Sequence, residues 1–174
     1  MKKRTVSFIL FFLLFATLSF AANKIGVFDM QVVMVKSTAG MDIKNELNKK
    51  KEYYTAEIKK REKALKQMRD EIEKKAMMLS QEARDEQEKA YQKKLRDLKL
   101  YANDSETDLK TMYRDKTQKL IHDILLVARN YAKKNNFSIV IEKQEGGVVF
   151  ADKAIDITEQ ILKAFNEYYL KNKK

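Results

Sequence analysis

Ile58-Lys-Lys-Arg61-Glu-Lys-Ala-Leu65-Lys-Gln-Met68-Arg-Asp-Glu-Ile72-Glu-Lys-Lys75-Ala-Met-Met-Leu79 is the stretch whose reading decides the fold. Ile58, Leu65, Ile72 and Leu79 recur every seven residues. Leu47, Tyr54, Arg61, Met68 and Lys75 lie between them at spacings of four and three. That is the a/d seam of a helix packed along another helix. Arg61 and Lys75 interrupt it, so the seam reads as loose or partly open to solvent or ligand. From Met41 to Lys134 the chain has neither glycine nor proline and is dense in Lys, Glu, Arg, Gln and Leu. Such writing specifies long helices that pack on each other rather than around a globular core.

The heptad loses its phase at Ala76-Met77-Met78-Leu79-Ser80, where four apolar residues in a row cannot all face one helix. Ser80 reads as an N-cap, with Glu82 in the first turn that follows. A second series runs through Tyr91, Leu95, Leu98, Ala102, Ser105, Leu109 and Met112. It broadens at Leu120, Ile121, Ile124, Leu125, Val127, Ala128 and Tyr131, so this end packs against a body. One straight helix would span about 140 Å at 1.5 Å per residue, and a hairpin folded at 77–81 about 60 Å. The hairpin is the expected form: the two arms are nearly equal in length, and the strand-like segments on either side need each other as partners.

Those segments build the body. Lys24 to Met30 reads as a strand in which Gly26 permits a close approach. Residues 31–36 form one or two helical turns, and Ser37-Thr38-Ala39-Gly40 is a break, with Thr38 or Asp42 as the next cap. Phe137 to Glu142 is a β-branched strand, Gly146-Gly147 a turn, and Val148 to Ala151 a returning strand. Asp156, with Glu159 at the capping-box position, opens a final helix whose stripe is Ile157, Ile161, Leu162, Phe165, Tyr168 and Tyr169. The expected organisation is therefore a signal peptide at 1–21, a first body part at 22–41, a helical-hairpin arm at 42–134 and a second body part at 135–174. The fold class is α+β, mostly α. A body of about 60 residues is thin for an independent core, so it is expected to oligomerise. Ile25, Val27, Phe137, Ile139, Ile141 and Val149 are the candidate interface residues.

The N-terminus has the three parts of a secretory signal: Lys2, Lys3 and Arg4, the apolar run Val6 to Leu18, and Ser19-Phe20-Ala21 for cleavage. No later segment is apolar enough to span a bilayer. The chain contains no cysteine, which excludes a lipidated N-terminus, disulfide staples, thiol nucleophiles and thiolate metal sites. Its one histidine, His122, reads as a packed or capping residue. No glycine-rich phosphate loop occurs, and carboxylates on a heptad surface are solvated far more often than catalytic. No enzyme, cofactor or metal is expected. Residues 42–134 carry 25 basic and 18 acidic residues, so the positive field belongs to the arm. Such an arm attracts anionic partners such as lipid headgroups, lipopolysaccharide or acidic chains.

Together these motifs resemble a known family. Lys24-Ile-Gly-Val-Phe-Asp-Met30-Gln31 with Ser37 and Ala39-Gly40 opens it, and Leu79-Ser-Gln-Glu-Ala-Arg84 lies mid-arm. Phe137-Ser-Ile-Val-Ile-Glu142, Gly147-Val-Val-Phe-Ala-Asp152 and Asp156-Ile-Thr158 close it. In this order, behind a signal peptide, they resemble the Skp (OmpH-like) periplasmic chaperones of Gram-negative bacteria. Phe150 stands where that family often has tyrosine. The resemblance implies a homotrimer with a β-rich hub and three helical arms. Between the arms it would hold unfolded outer-membrane proteins in the periplasm without ATP. Met77, Met78 and Leu79 at the tip, with Lys74, Lys75 and Arg84, are the candidate client contacts. A structural coiled-coil protein of the cell envelope, and an exported polyanion or nucleic-acid binder, are the competing readings. The second lacks a recognised nucleic-acid fold, and its basic residues are interleaved with acids.

Overall fold

The computed structural model describes residues 24–173; the signal-peptide segment 1–21 lies outside the described residues. Strand β1 (Ile25–Phe28) leads into a short helix α1 (Met30–Lys36). Two long helices follow, α2 (Thr38–Lys75) and α3 (Gln81–Lys134), then strand β2 (Ile139–Glu142) and the C-terminal helix α4 (Thr158–Asn172). The long helices form the expected hairpin. They are less equal than the sequence pattern implied, at about 57 and 81 Å, because the last turns of α3 belong to the body.

The hairpin turn needs no glycine. Ala76 continues the helical backbone at φ −53°, ψ −33°, and Ser80 is extended at φ −63°, ψ 159°. All its conformations are therefore open to ordinary L-residues. The backbone N–H groups of Met78 and Leu79 both donate to the carbonyl of Lys75, at 2.9 and 3.1 Å, which closes the end of α2. Ser80 caps α3 by accepting from the Ala83 N–H, as its position implied.

Within the body, β1 and β2 pair in parallel, Ile25 against Ile139 through Phe28 against Glu142. Helices α1, α3 and α4 cover them. Phe28, Val33, Ile124, Val127, Ile161 and Phe165 lie at the centre of the buried cluster. The broad apolar stripe at the end of α3 thus has the role its width announced, with Leu120, Ile124, Val127 and Ala128 buried. Gly26 allows the close approach anticipated for it: a Cβ there would sit 2.8 Å from Ile157 Cδ1 and 2.9 Å from Phe137 Cε1.

Three expectations are corrected. Residues 148–151 form no strand. β1 is flanked by β2 and, on its other side, by the segment before α4, through the Val27–Asp156 bridge and an Ile157 N–H bond to the Val27 carbonyl at 2.8 Å. The outer edge of β2, where a hairpin would return, stays unpaired among the described residues, because the turn closes on itself through the Gly146 N–H to the Glu142 carbonyl and the Val148 N–H to the Lys143 carbonyl. The turn at 146–147 then carries Val149 and Phe150 out to solvent, at 101% and 83% exposure. The cap of α2 is Ser37, neither Thr38 nor Asp42: its Oγ accepts from the Gly40 N–H at 3.1 Å. Asp156 is not the N-cap of α4. It sits one residue earlier, where its Oδ1 accepts from both the Thr158 N–H and the Thr158 hydroxyl, at 2.9 and 2.6 Å.

The joint between α1 and α2 is one residue long, and it aims the arm. Ser37 is buried, and the Thr38 N–H beside it donates to Asn166 Oδ1 of α4 at 2.9 Å. A Cβ on Gly40 would lie 1.8 Å from the Met34 carbonyl oxygen, a backbone atom that cannot yield without moving α1. Gly40→Ala is therefore expected to destabilise the protein by about 2–4 kcal/mol. Urea denaturation followed by circular dichroism measures it; a loss below about 0.5 kcal/mol would show the joint to be compliant.

Candidate functional site

The candidate client-contact residues meet at the arm tip. Met77 and Met78 are 97% and 87% exposed, two thioether side chains with almost no cover from their own chain. Packing of the turn, the other role open to them, therefore involves neither. Leu79 is half-buried. Lys74 is exposed, and Lys75 lies 3.8 Å from Glu71. Arg84 serves the turn, its Nε donating to the Leu79 carbonyl at 3.2 Å.

Further along, the seam holds a polar and aromatic node that heptad reading could only partly anticipate. The Arg61 guanidinium lies 3.9 Å from the centre of the Tyr101 ring. Tyr101 meets Tyr54 edge-on at 6.0 Å, and the Tyr54 hydroxyl donates to Asp108 Oδ2 at 2.6 Å. That bond holds the phenol above its ordinary pKa, since ionisation would set phenolate against carboxylate. Lys50 completes the node, 3.8 Å from Asp108 and 4.9 Å from the Tyr54 ring centre. Ser105 is buried there, bonded to the Tyr101 carbonyl at 2.6 Å. Arg61 therefore ties the helices together across the seam rather than merely loosening it. The sequence signal was available in Tyr54 and Tyr101, but only the register of the hairpin places them together.

The interface candidates divide. Ile25 and Ile139 are about half exposed and lie side by side in the sheet register. Val149 projects fully into solvent. Ile141 and Phe137 are half-buried, the latter beneath the Lys24 ammonium at 4.1 Å. Val27 is buried within its own chain. Among the described residues, β2 pairs only with β1.

His122 is exposed on α3, so it is not the packed residue the sequence suggested. The adjacent Asp123 bonds Lys119 at 2.7 Å. Among the described residues no group of three or more metal-ligating side chains comes together, and no helix is long and apolar enough to cross a membrane.

At the body, Lys143 Nζ lies 2.6 Å from Asp156 Oδ2. Burial alone pushes the Asp156 carboxyl up, but hydrogen bonds from Lys143 and Thr158 outweigh it and bring it below the ordinary value of 3.8. A depressed carboxylate contributes stability that is complete above its unfolded pKa and lost as pH falls through the folded one. Asp156→Asn is thus expected to lower stability at pH 7 while flattening the stability loss below about pH 4. Urea midpoints at pH 7 and pH 3 measure this; equal destabilisation at both would assign the loss to packing.

The arm and body predict different local stabilities. The seam has one well-buried apolar residue in α2, Leu65, whereas the body holds the main buried cluster. Amide exchange over residues 60–110 should therefore be faster than in β1 and β2. Arg61→Gln should increase it further near Tyr101, by about 0.5–1 kcal/mol of opening free energy. Equal protection in arm and sheet would identify a rigid rod.

Comparison with known proteins gives a consistent result. The family described as outer membrane protein (OmpH-like) matches residues 24–165. A Skp-like protein of Pseudomonas aeruginosa is 26% identical over 149 residues, covering 86% of this chain and 88% of its own. The crystal structure of an OmpH-like protein of Caulobacter crescentus shares the fold with a TM-score of 0.79 at 16% identity. That match covers 85% of this chain and 86% of the other.

Proposed function

Since the chain belongs to the OmpH-like outer membrane protein family, we propose that it is an ATP-independent periplasmic holdase, exported by a signal peptide cleaved after Ala21. Its clients on this reading are unfolded outer-membrane β-barrel proteins, held between helical arms so that they do not aggregate in transit. The observation that carries the reading is the family match across hairpin and body together, on an arm that ends in two exposed methionines.

The chemistry of the arm suits the task. An unfolded β-barrel exposes apolar side chains and unpaired strand edges that would otherwise join other chains. Methionine adapts its shape to varied apolar surfaces, and long Lys and Arg side chains lay methylene stems on such surfaces while their charges stay in water. Many weak contacts restrain a client without selecting one sequence. Release then needs no fuel, because a folded client no longer presents the same surface.

Assembly into a homotrimer belongs to the same proposal. Ile25, Ile139 and Val149 leave apolar surface beside an open sheet edge, and a neighbouring copy would cover it. A body with so small a core gains from that cover. Lipid or lipopolysaccharide contact is not required by this mechanism.

The test is dilution of a urea-unfolded outer-membrane β-barrel protein into buffer with and without the processed protein, residues 22–174, in the absence of nucleotide. Light scattering should fall to near baseline at about equimolar trimer. Met77→Gln with Met78→Gln should weaken that suppression without shifting the melting temperature, since neither side chain packs on its own chain. Undiminished aggregation with the wild-type protein would overturn the reading. Full suppression by the double variant would remove the tip from the contact surface.

A further inference from the structure

The net charge of the arm conceals a strong segregation along it. Residues 59–69 of α2 and 89–99 of α3 form a belt with eleven Lys and Arg against two acids, a net of +9. Beyond the belt, residues 70–88 carry three basic and seven acidic residues, a net of −4. The tip is therefore acidic despite Lys74, Lys75 and Arg84, and the belt behind it is strongly basic. Much of the belt charge is uncommitted: among the described residues, no carboxylate lies within ion-pair distance of Lys59, Lys63, Lys66, Lys93 or Lys94.

Shape follows the same division. The tip presents Met77 and Met78 as a convex apolar knob. The belt carries a groove of about 250 Å³ between the helices, lined by Leu65 and Leu98 together with Arg61, Lys94 and one acid, Asp97. The acid-flanked knob and the groove set in the net-positive belt are complementary in shape and in charge.

We propose that the arm is a docking surface for the arm of a second copy, set antiparallel so that each acidic tip lies against the other's basic belt. The geometry allows both contacts at once. The belt centre is about 14 residues from the tip, so two hairpins overlapping by about 20 Å place tip on belt at each end. The arrangement has two-fold symmetry and is self-complementary. Parallel arms would instead set belt against belt and tip against tip, which like charge opposes. The charge pattern thus keeps arms that point the same way apart while drawing together arms that point towards each other. This inference does not rest on client binding.

Analytical ultracentrifugation of the processed protein tests it. In about 10 mM salt, where screening extends over about 30 Å, the mass should be about twice that in about 1 M salt, where it extends over about 3 Å. A tip-reversed variant (Asp70→Lys, Asp85→Lys, Glu86→Lys) changes the tip from −4 to +2. A belt-reversed variant (Lys59→Glu, Lys63→Glu, Lys66→Glu, Lys93→Glu, Lys94→Glu) changes the belt from +9 to −1. All eight side chains are exposed, so each variant should keep the wild-type melt. Neither variant should double alone in low salt, and an equal mixture of the two should. A mass independent of salt in the wild-type protein overturns the proposal. So does doubling that persists in either variant alone, or a mixture that stays undoubled while both variants melt normally.

Discussion

The contact between the last turns of α3 and the C-terminal helix α4 is what the rest of the molecule depends on. Ile124, Val127 and Ala128 come from one side, and Ile161 and Phe165 from the other. Burying a large apolar side chain contributes about 1.5–3 kcal/mol, and this cluster holds most such residues in the described chain. It is fixed in space because α4 also holds the start of the arm. The Asn166 side-chain oxygen Oδ1 accepts from the Thr38 N–H, and the Tyr169 hydroxyl and Lys173 ammonium both bond Asp42 Oδ2. Those bonds, Lys173 first, hold the Asp42 carboxyl below its ordinary range. One helix thus anchors both limbs of the hairpin, and a lever far longer than its base takes its direction from a few turns.

Along that lever the forces change character. Near the body, apolar burial dominates. At mid-arm it gives way to a node of Arg61, Tyr101, Tyr54, Asp108 and Lys50, where a cation over a ring and an exposed hydrogen bond replace a packed core. Exposed interactions of this kind are each worth about 1 kcal/mol or less. Toward the tip the main seam residues are half-buried Met68, Ile72 and Leu79. Stability therefore falls with distance from the body, and the polar node marks the middle of that gradient.

The sequence made much of this legible because helices announce themselves locally. A seven-residue repeat without glycine or proline leaves little choice of fold, and the serine after the broken repeat caps the returning helix as its position implied. Non-local pairing was less legible. Val148 to Ala151 has the composition of a strand, but whether it becomes one depends on the direction in which the preceding turn sends it. The turn closes on the Glu142 and Lys143 carbonyls and leaves Val149 and Phe150 in solvent, with the outer edge of β2 unpaired among the described residues. Likewise Asp156 looks like a helix cap in isolation, while in the fold it also answers Lys143. The charged seam position Arg61 was visible; the ring it rests on was not, because contact across a hairpin depends on register. The charge segregation was present in the sequence all along, hidden only when the arm is summed as a whole.

A gradient of stability combined with a gradient of charge constrains how such an arm can act. A rigid, fully apolar seam would leave little surface to offer and would not yield to objects of different size. An arm without charge would carry exposed methionines into contact with every similar tip, the situation in which apolar patches aggregate. The acidic flanks of the tip set a like-charge barrier against other tips, and the basic belt repels other belts. Those barriers weaken with salt, falling off over about 8 Å at physiological ionic strength, so they act when arms come close rather than at a distance. On the proposed function, the same apolar tip can then be open to an unfolded client yet protected from other tips, because a client need not share the tip's charge and an identical tip always does.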